Sequence, residues 1–205
     1  GISATKDADK TNGIIKVDAE GDGKLVAMAG VTQRFIDNNG DGNTWFFDEE
    51  YNTASYNYSR TAGANDFLFL PCIKGEKGHI YRLKFFARSA SASYPEKMAV
   101  YAGNAPQVDA LTEQLLDPKI VSNAGETITV ETEATADGPL YFAIQCVSDP
   151  DMSRLFVDDI TVSDAGLLDA PAPATDLTIE PSATGALSAT ITFNAPNETL
   201  GGEPL

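Results

Sequence analysis

Apolar residues along this chain come in short runs, many alternating with polar ones, and the runs are punctuated by Gly, Asn, Asp and Pro. A period of two with frequent turn residues predicts strands rather than helices. The expected strands are Asp66–Ile73 (DFLFLPCI), Ile80–Arg88 (IYRLKFFAR), Lys97–Ala102 (KMAVYA), Thr127–Glu133 (TITVETE), Leu140–Val147 (LYFAIQCV) and Leu155–Val162 (LFVDDITV). Another is expected at Trp45-Phe46-Phe47. Gly13–Ala19 and Lys24–Val31 flank Glu20-Gly21-Asp22-Gly23 and read as a hairpin closed by a Gly-rich turn. Together these give roughly nine strands, enough for an all-β, two-sheet sandwich. Ala110–Leu116 (ALTEQLL) is the best helix candidate, one or two turns covering a sandwich edge.

The texture changes at Leu167–Ala174, where LLDAPAPA reads as a stiff Ala/Pro linker. Beyond it, Thr175–Glu180 (TDLTIE) and Leu187–Phe193 (LSATITF) are two strands joined by a Gly/Ser turn. The chain thus divides into an unassigned hairpin segment (1–30), a main β domain (31–166), the linker (167–174) and a short C-terminal segment (175–205). That last segment is too short to build its own sandwich core. It resembles the first two strands of a fibronectin type III domain, with Phe193 where that family commonly places Trp.

Composition narrows the function. The chain has 205 residues, is 42% hydrophobic, and carries a net charge of −16 with a pI near 4.2. Such a surface repels phosphate backbones, so no nucleic-acid partner is expected. No apolar run approaches the ~20 residues of a membrane-spanning helix. Cys72 and Cys146 lack metal-type spacing, so a single disulfide and two buried free thiols remain the alternatives. His79 is the one histidine; it lies in a turn-like stretch, where a surface role is expected. It cannot build a multi-histidine metal site, and no nucleophile elbow accompanies it, so no enzyme is expected. The chain begins Gly-Ile rather than with Met, so a targeting segment is expected to have been removed.

Three stretches carry candidate chemistry. Residues 35–48 read FIDNNGDGNTWFFD, with oxygen-bearing Asp37, Asn39 and Asp41 at alternate positions, then Gly42, then Asp48 at the twelfth position. The spacing fits a hard-cation loop, although the flanks are strand-like rather than helical, so the loop is read with or without a metal. In Phe156–Val162 (FVDDITV), strict alternation puts Asp158 on the same face as Phe156, Ile160 and Val162, hence inward. A buried carboxylate must be paired, hydrogen-bonded or metal-bound. Asp158 or its neighbour Asp159 could therefore share one structural calcium with the Asp37–Asp41 loop, the alternative being that Asp158 caps backbone amides. The third stretch is Tyr51–Tyr58 (YNTASYNY), where Tyr51 and Tyr56 could stack on sugar rings. The alternative is that Tyr56, Tyr58 and Trp45 belong to the sandwich. Tyr94 sits in an ordered loop tip, Tyr94-Pro95-Glu96, where a recognition role is possible.

Five landmarks occur in a familiar order: DNNGDGNTW (37–45), NDFLFLP (65–71), YRLKFFARS (81–89), SYPEKMAVYAG (93–103) and SRLFVDDITV (153–162). This series resembles the cleaved-adhesin, or choice-of-anchor J, domain of Bacteroides-type bacteria, a distant relative of the MAM domain. The resemblance covers about residues 31–164. Phe67, where the family usually has Trp, and Cys72, where it often has Pro or a small residue, depart from it. The resemblance implies a jelly-roll β-sandwich with structural calcium and a non-catalytic role in adhesion to an extracellular protein or glycan. The setting it implies is a secreted or cell-surface protein associated with the outer membrane, as part of a longer multidomain chain. A structural spacer, or an accessory module of a larger surface hydrolase or protease, is the alternative.

Overall fold

The computed structural model of the protein describes residues 34–182 and 188–205. The hairpin expected over residues 13–31, with Asp18, Glu20 and Asp22, lies outside the described residues. Thirteen strands follow: β1 Arg34–Asp37, β2 Trp45–Asp48, β3 Thr53–Asn57, β4 Asp66–Phe69, β5 Ile73–Gly75, β6 His79–Ser89, β7 Glu96–Gly103, β8 Leu111–Val121, β9 Glu126–Glu133, β10 Gly138–Cys146, β11 Arg154–Leu167, β12 Thr175–Pro181 and β13 Ala189–Asn194.

Eleven of them build a jelly-roll sandwich. One sheet runs β1-β4-β10-β7-β8, with β5 also on β10; the other runs β2-β3-β11-β6-β9. The expected strand Asp66–Ile73 is split at Pro71, which has no N–H to offer a ladder; β4 and β5 both pair with β10. Alternation then sends Leu68 and Leu70, Met98, Val100 and Ala102, and Phe142, Ile144 and Cys146 from one sheet into a shared core. From the other sheet come Trp45, Ala54, Tyr56, Leu83, Phe85, Ala87, Leu155 and Val157. All of these are at most 2% exposed, so the two inner faces are dry.

The expected helix at Ala110–Leu116 is a strand. A short 3₁₀ turn, Val108–Ala110, leads into β8, which pairs along the free edge of β7. Pro118 limits any helix there to about two turns, too few to hold without packing. An edge strand accepts that proline, and β8 shows three register irregularities along its length.

Asp158 does not point inward. The β11–β6 register steps from Asp158↔Phe86 to Thr161↔Lys84, so β11 carries one extra residue there. This bulge holds Asp159 at φ +51° and shifts the alternation by one. Leu155 and Val157 before it, and Ile160 and Val162 after it, all face the core. Asp158 shares the outer face with Phe156, and its Oδ1 accepts the Asp159 N–H at 2.7 Å.

Cys72 and Cys146 are both buried free thiols, with no disulfide between them. They belong to different apolar clusters, Cys146 in the core and Cys72 on the outer side of the six-stranded sheet. His79 is held within the fold: its Nδ1 lies 2.9 Å from Asp164 Oδ2.

β12 and β13 pair only with each other among the described strands. Leu177, Ile179, Ile191 and Phe193 are 56–64% exposed. Residues 199–201 fold back on the linker, where Leu200 N–H donates to Ala170 O and Gly201 N–H to Leu168 O.

Candidate ligand face and acidic loop

The outer face of the five-stranded sheet carries an ordered patch of rings and guanidinium groups. Register places Phe46, Ser55, Phe156 and Arg88 in one row across β2, β3, β11 and β6. The Arg88 guanidinium lies over the Phe156 ring, 4.4 Å from its centre. The Tyr51 ring, from the β2–β3 turn, meets the same ring at 5.1 Å and 59°. Arg154 reaches over Phe46 and Phe156 at 5.7 and 5.8 Å. Phe156 is thereby 4% exposed although it faces away from the core, whereas Tyr51 is 46% exposed.

The patch is held from beneath. Asp48 accepts the N–H of Glu50 and of Tyr51 on Oδ1, and Arg154 Nη1 on Oδ2 at 2.7 Å. Arg154 Nε donates to Asn57 Oδ1 at 3.1 Å. One carboxylate thus fixes both the turn that presents Tyr51 and the arginine beside it. Gly125 approaches from the β8–β9 turn so closely that a Cβ there would lie 2.2 Å from Phe86 Cζ and 2.9 Å from the Arg88 Cβ. Further along β6, a hollow of about 310 Å3 is lined by Lys84, Phe86, Thr127, Asp159 and Thr161.

Of the three tyrosines singled out from sequence, the structure brings only Tyr51 to this patch. Tyr56 is corrected as a ligand platform: it is 1% exposed, and its hydroxyl donates to Asp66 Oδ2 at 2.6 Å. Trp45 is likewise a core residue, its Nε1–H donating to the Asp66 carbonyl at 3.0 Å. Tyr94 is 54% exposed in the loop before β7, where Ser91 Oγ accepts its N–H. Sequence reasoning missed Arg88, Phe156, Arg154 and Asp48 as one group.

A larger cleft, about 510 Å3, opens at one end of the sandwich, with Asn104, Thr112, Glu113, Thr132 and Asp137 on its walls. Glu113 Oε2 accepts the Thr132 hydroxyl across it. Among the described residues that line this cleft none carries an aromatic ring, so they offer hydrogen bonds rather than a stacking surface.

The acidic loop lies between β1 and β2. Asp37 accepts the N–H groups of Gly40 and Gly42 on its two oxygens, at 2.6 and 2.8 Å. Gly42 has φ +82°, the conformation the turn needs. Asn39 Nδ2 donates to Gly63 O, and Asp41 Oδ1 accepts the Asn43 N–H. Asp158 and Asp159 are not brought to this loop. The Asn43 side chain ties the loop to Asn57, at the Arg154 end of β3, while Asp158 pairs with Phe86 further along β11. What the loop does meet is Asp66, the register partner of Asp37. Asp66 is fully buried, and its Oδ1 has no hydrogen-bond partner. Burial raises its pKa above the usual carboxylate range; the Tyr56 and Asn65 hydrogen bonds oppose the rise, and Asp37 and Asp41 add to it. An orphaned buried oxygen beside two further carboxylates fits a hard divalent cation. Among the described residues, no set of three His, Cys, Asp or Glu side chains is gathered closely enough to be a ready-made metal cage.

No family model matches the chain, and no curated protein matches it. Solved structures do. The K1 cleaved adhesin domain of Lys-gingipain from Porphyromonas gingivalis W83 superposes with a TM-score of 0.54 at 18% identity, over 70% of this chain and 95% of that one. The K3 cleaved adhesin domain of the same protein superposes with a TM-score of 0.52 at 20% identity, over 64% of this chain and 89% of that one. The fold is therefore the jelly-roll β-sandwich of the cleaved-adhesin type. Among the described residues, no helix is long and apolar enough to cross a membrane.

Proposed function

We propose that the protein is a non-catalytic binding module of a secreted or cell-surface protein, and that it takes a glycan on the outer face of the five-stranded sheet. The observation that carries this reading is Tyr51, a half-exposed ring held against Phe156 and flanked by Arg88 and Arg154. A sugar's apolar face stacks on such a ring while its hydroxyls meet guanidinium donors. The patch is pre-organised by Asp48, so little ordering cost opposes binding. The likeness to adhesin domains supports the class, through the fold alone. Residues 175–205 belong to the same proposal as the opening strands of a fibronectin-like unit, supported by a hairpin with one apolar face. The test is a glycan array probed with the wild-type protein and with Tyr51→Ala. The expected result is a discrete set of hits lost in the variant; an array without hits contradicts the reading.

Calcium, if held, is structural, and Asp37, Asn39, Asp41 and Asp66 are the residues that would hold it. The ion would supply charge neutralisation at the buried Asp66 carboxylate, whose Oδ1 is unpartnered. Their oxygens keep spare lone pairs beyond the amides they already accept. At a free concentration one hundred times its Kd, an ion binding only the folded state adds about 2.7 kcal/mol. Chelator should lower the melting temperature, with calcium restoring it and magnesium doing so poorly. Asp37→Ala should remove that response and Asp158→Ala should keep it. A melting temperature indifferent to chelator contradicts this.

A further inference from the structure

We infer that the sugar taken on this face is an acidic one, a uronate- or sialate-type residue whose carboxylate is gripped by Arg88. The inference rests on the glycan-binding reading above and deepens it. Arg82, Lys97, Lys119 and Arg154 each pair with a carboxylate of the protein. Arg88 does not. It is half-buried, its guanidinium lies on the Phe156 ring, and it makes no hydrogen bond or ion pair with any described residue. In a chain of net charge −16, a partly desolvated guanidinium with no carboxylate partner among the described residues is a position suited to an anion.

Its geometry suits a carboxylate. Guanidinium N–H groups lie in the guanidinium plane, so seating one face on a ring leaves the donors directed sideways in a fork that matches two carboxylate oxygens. Phe156 supports the fork from below, and Gly125 allows the β8–β9 turn to close against the Arg88 Cβ. Tyr51 and Arg88 touch the same ring, so a stacked sugar and its carboxylate fall within the span of one or two residues of a glycan chain. Asp48 already neutralises Arg154, which leaves that arginine to donate to neutral oxygens. The stacking surface favours a glycan over an acidic peptide, which would need only the cation.

The experiment uses the full chain on an array of uronate- and sialate-bearing glycans, each printed beside its methyl ester, followed by titration of the best pair. Esterification removes the charge and keeps the ring. The expected result is an affinity for the free acid at least tenfold above that for the ester, in keeping with a hydrogen-bonded ion pair. The preference should shrink as salt is raised. Arg88→Gln should erase the preference while retaining residual binding and the wild-type melting temperature. Tyr51→Ala should weaken acid and ester alike. Equal binding of acid and ester, or a preference that survives Arg88→Gln, overturns the inference and leaves the glycan-binding reading standing. Arg88-dependent capture of polyglutamate without any glycan hit overturns the inference in favour of an acidic protein partner. Absence of every glycan hit overturns both readings.

Discussion

Both outer faces of the sandwich carry aromatic rings, yet they are built for different ends. On the six-stranded sheet, Phe67, Phe69, Tyr141 and Ala143 form a second apolar cluster, and Val108 from the β7–β8 connection and Leu111 at the start of β8 pack against it. Arg34 Nη1 donates to Pro106 O at 3.0 Å and ties that connection down. Phe69 ends fully buried. On the five-stranded sheet, what caps Phe156 among the described residues is two guanidinium groups and a tyrosine that itself remains 46% exposed. Sealing a ring with the protein's own apolar chain makes core. Capping it with donors and an exposed ring leaves the kind of surface that the proposed glycan would meet.

The largest way to break this contrast is Phe69→Ala. It removes a fully buried ring and should cost about 3–5 kcal/mol, read from denaturant midpoints, while the folded fraction keeps its glycan affinity. A loss of affinity without loss of stability would place the ligand on the wrong face. Tyr51→Ala should do the reverse: stability within about 0.5 kcal/mol of wild type and affinity down roughly tenfold.

Glu96 sharpens the account of the loop beside Tyr94. It is fully buried at the start of β7, where Oε1 accepts the Ser153 N–H at 2.6 Å. Burial raises its pKa above the ordinary 4.5, opposed by the Ser148 and Ser153 hydrogen bonds. Its contribution to stability is therefore fully present below pH 4.5 and lost as pH rises through the folded value. Glu96→Gln should gain on wild type across that window in pH-dependent melts; a wild-type advantage that grows with pH would contradict the assignment. The smallest effect is expected at the hairpin. Ile191→Thr, on an open face, should leave the sandwich's thermal midpoint within about 2 °C. A larger fall would mean that β12 and β13 are part of the main core.

How much of this was legible depends on where the alternation is carried. β6, β7, β9 and β10 were readable to within a residue or two because Leu83, Phe85 and Ala87, or Phe142, Ile144 and Cys146, mark one face without interruption. β3 was not, because its outward Thr53 and Ser55 are small and polar, so TASYN carries no clear apolar alternation. β8 was misread because Leu115 and Leu116 mimic a helical stripe, and the free edge of β7 that captures the segment is invisible in local sequence. The Asp158-Asp159 doublet inside an apolar run was the available sign of a bulge. The Tyr51 turn was visible, but its partnership with Arg88 and Phe156 depends on pairing between strands far apart in the chain. The same holds for Asp66, whose place opposite Asp37 follows only from the β1–β4 register.

On the proposed function, ligand is held on the five-stranded sheet's outer face with Tyr51 as its stacking ring. The most direct measurement is calorimetric titration of the strongest array hit into wild-type protein, Tyr51→Ala, and a Glu113→Gln variant in the cleft at the end of the sandwich. Tyr51→Ala should lose most of the affinity at an unchanged melting temperature, while Glu113→Gln should bind as wild type does. Wild-type affinity in Tyr51→Ala, with the loss appearing in Glu113→Gln instead, would contradict the proposal.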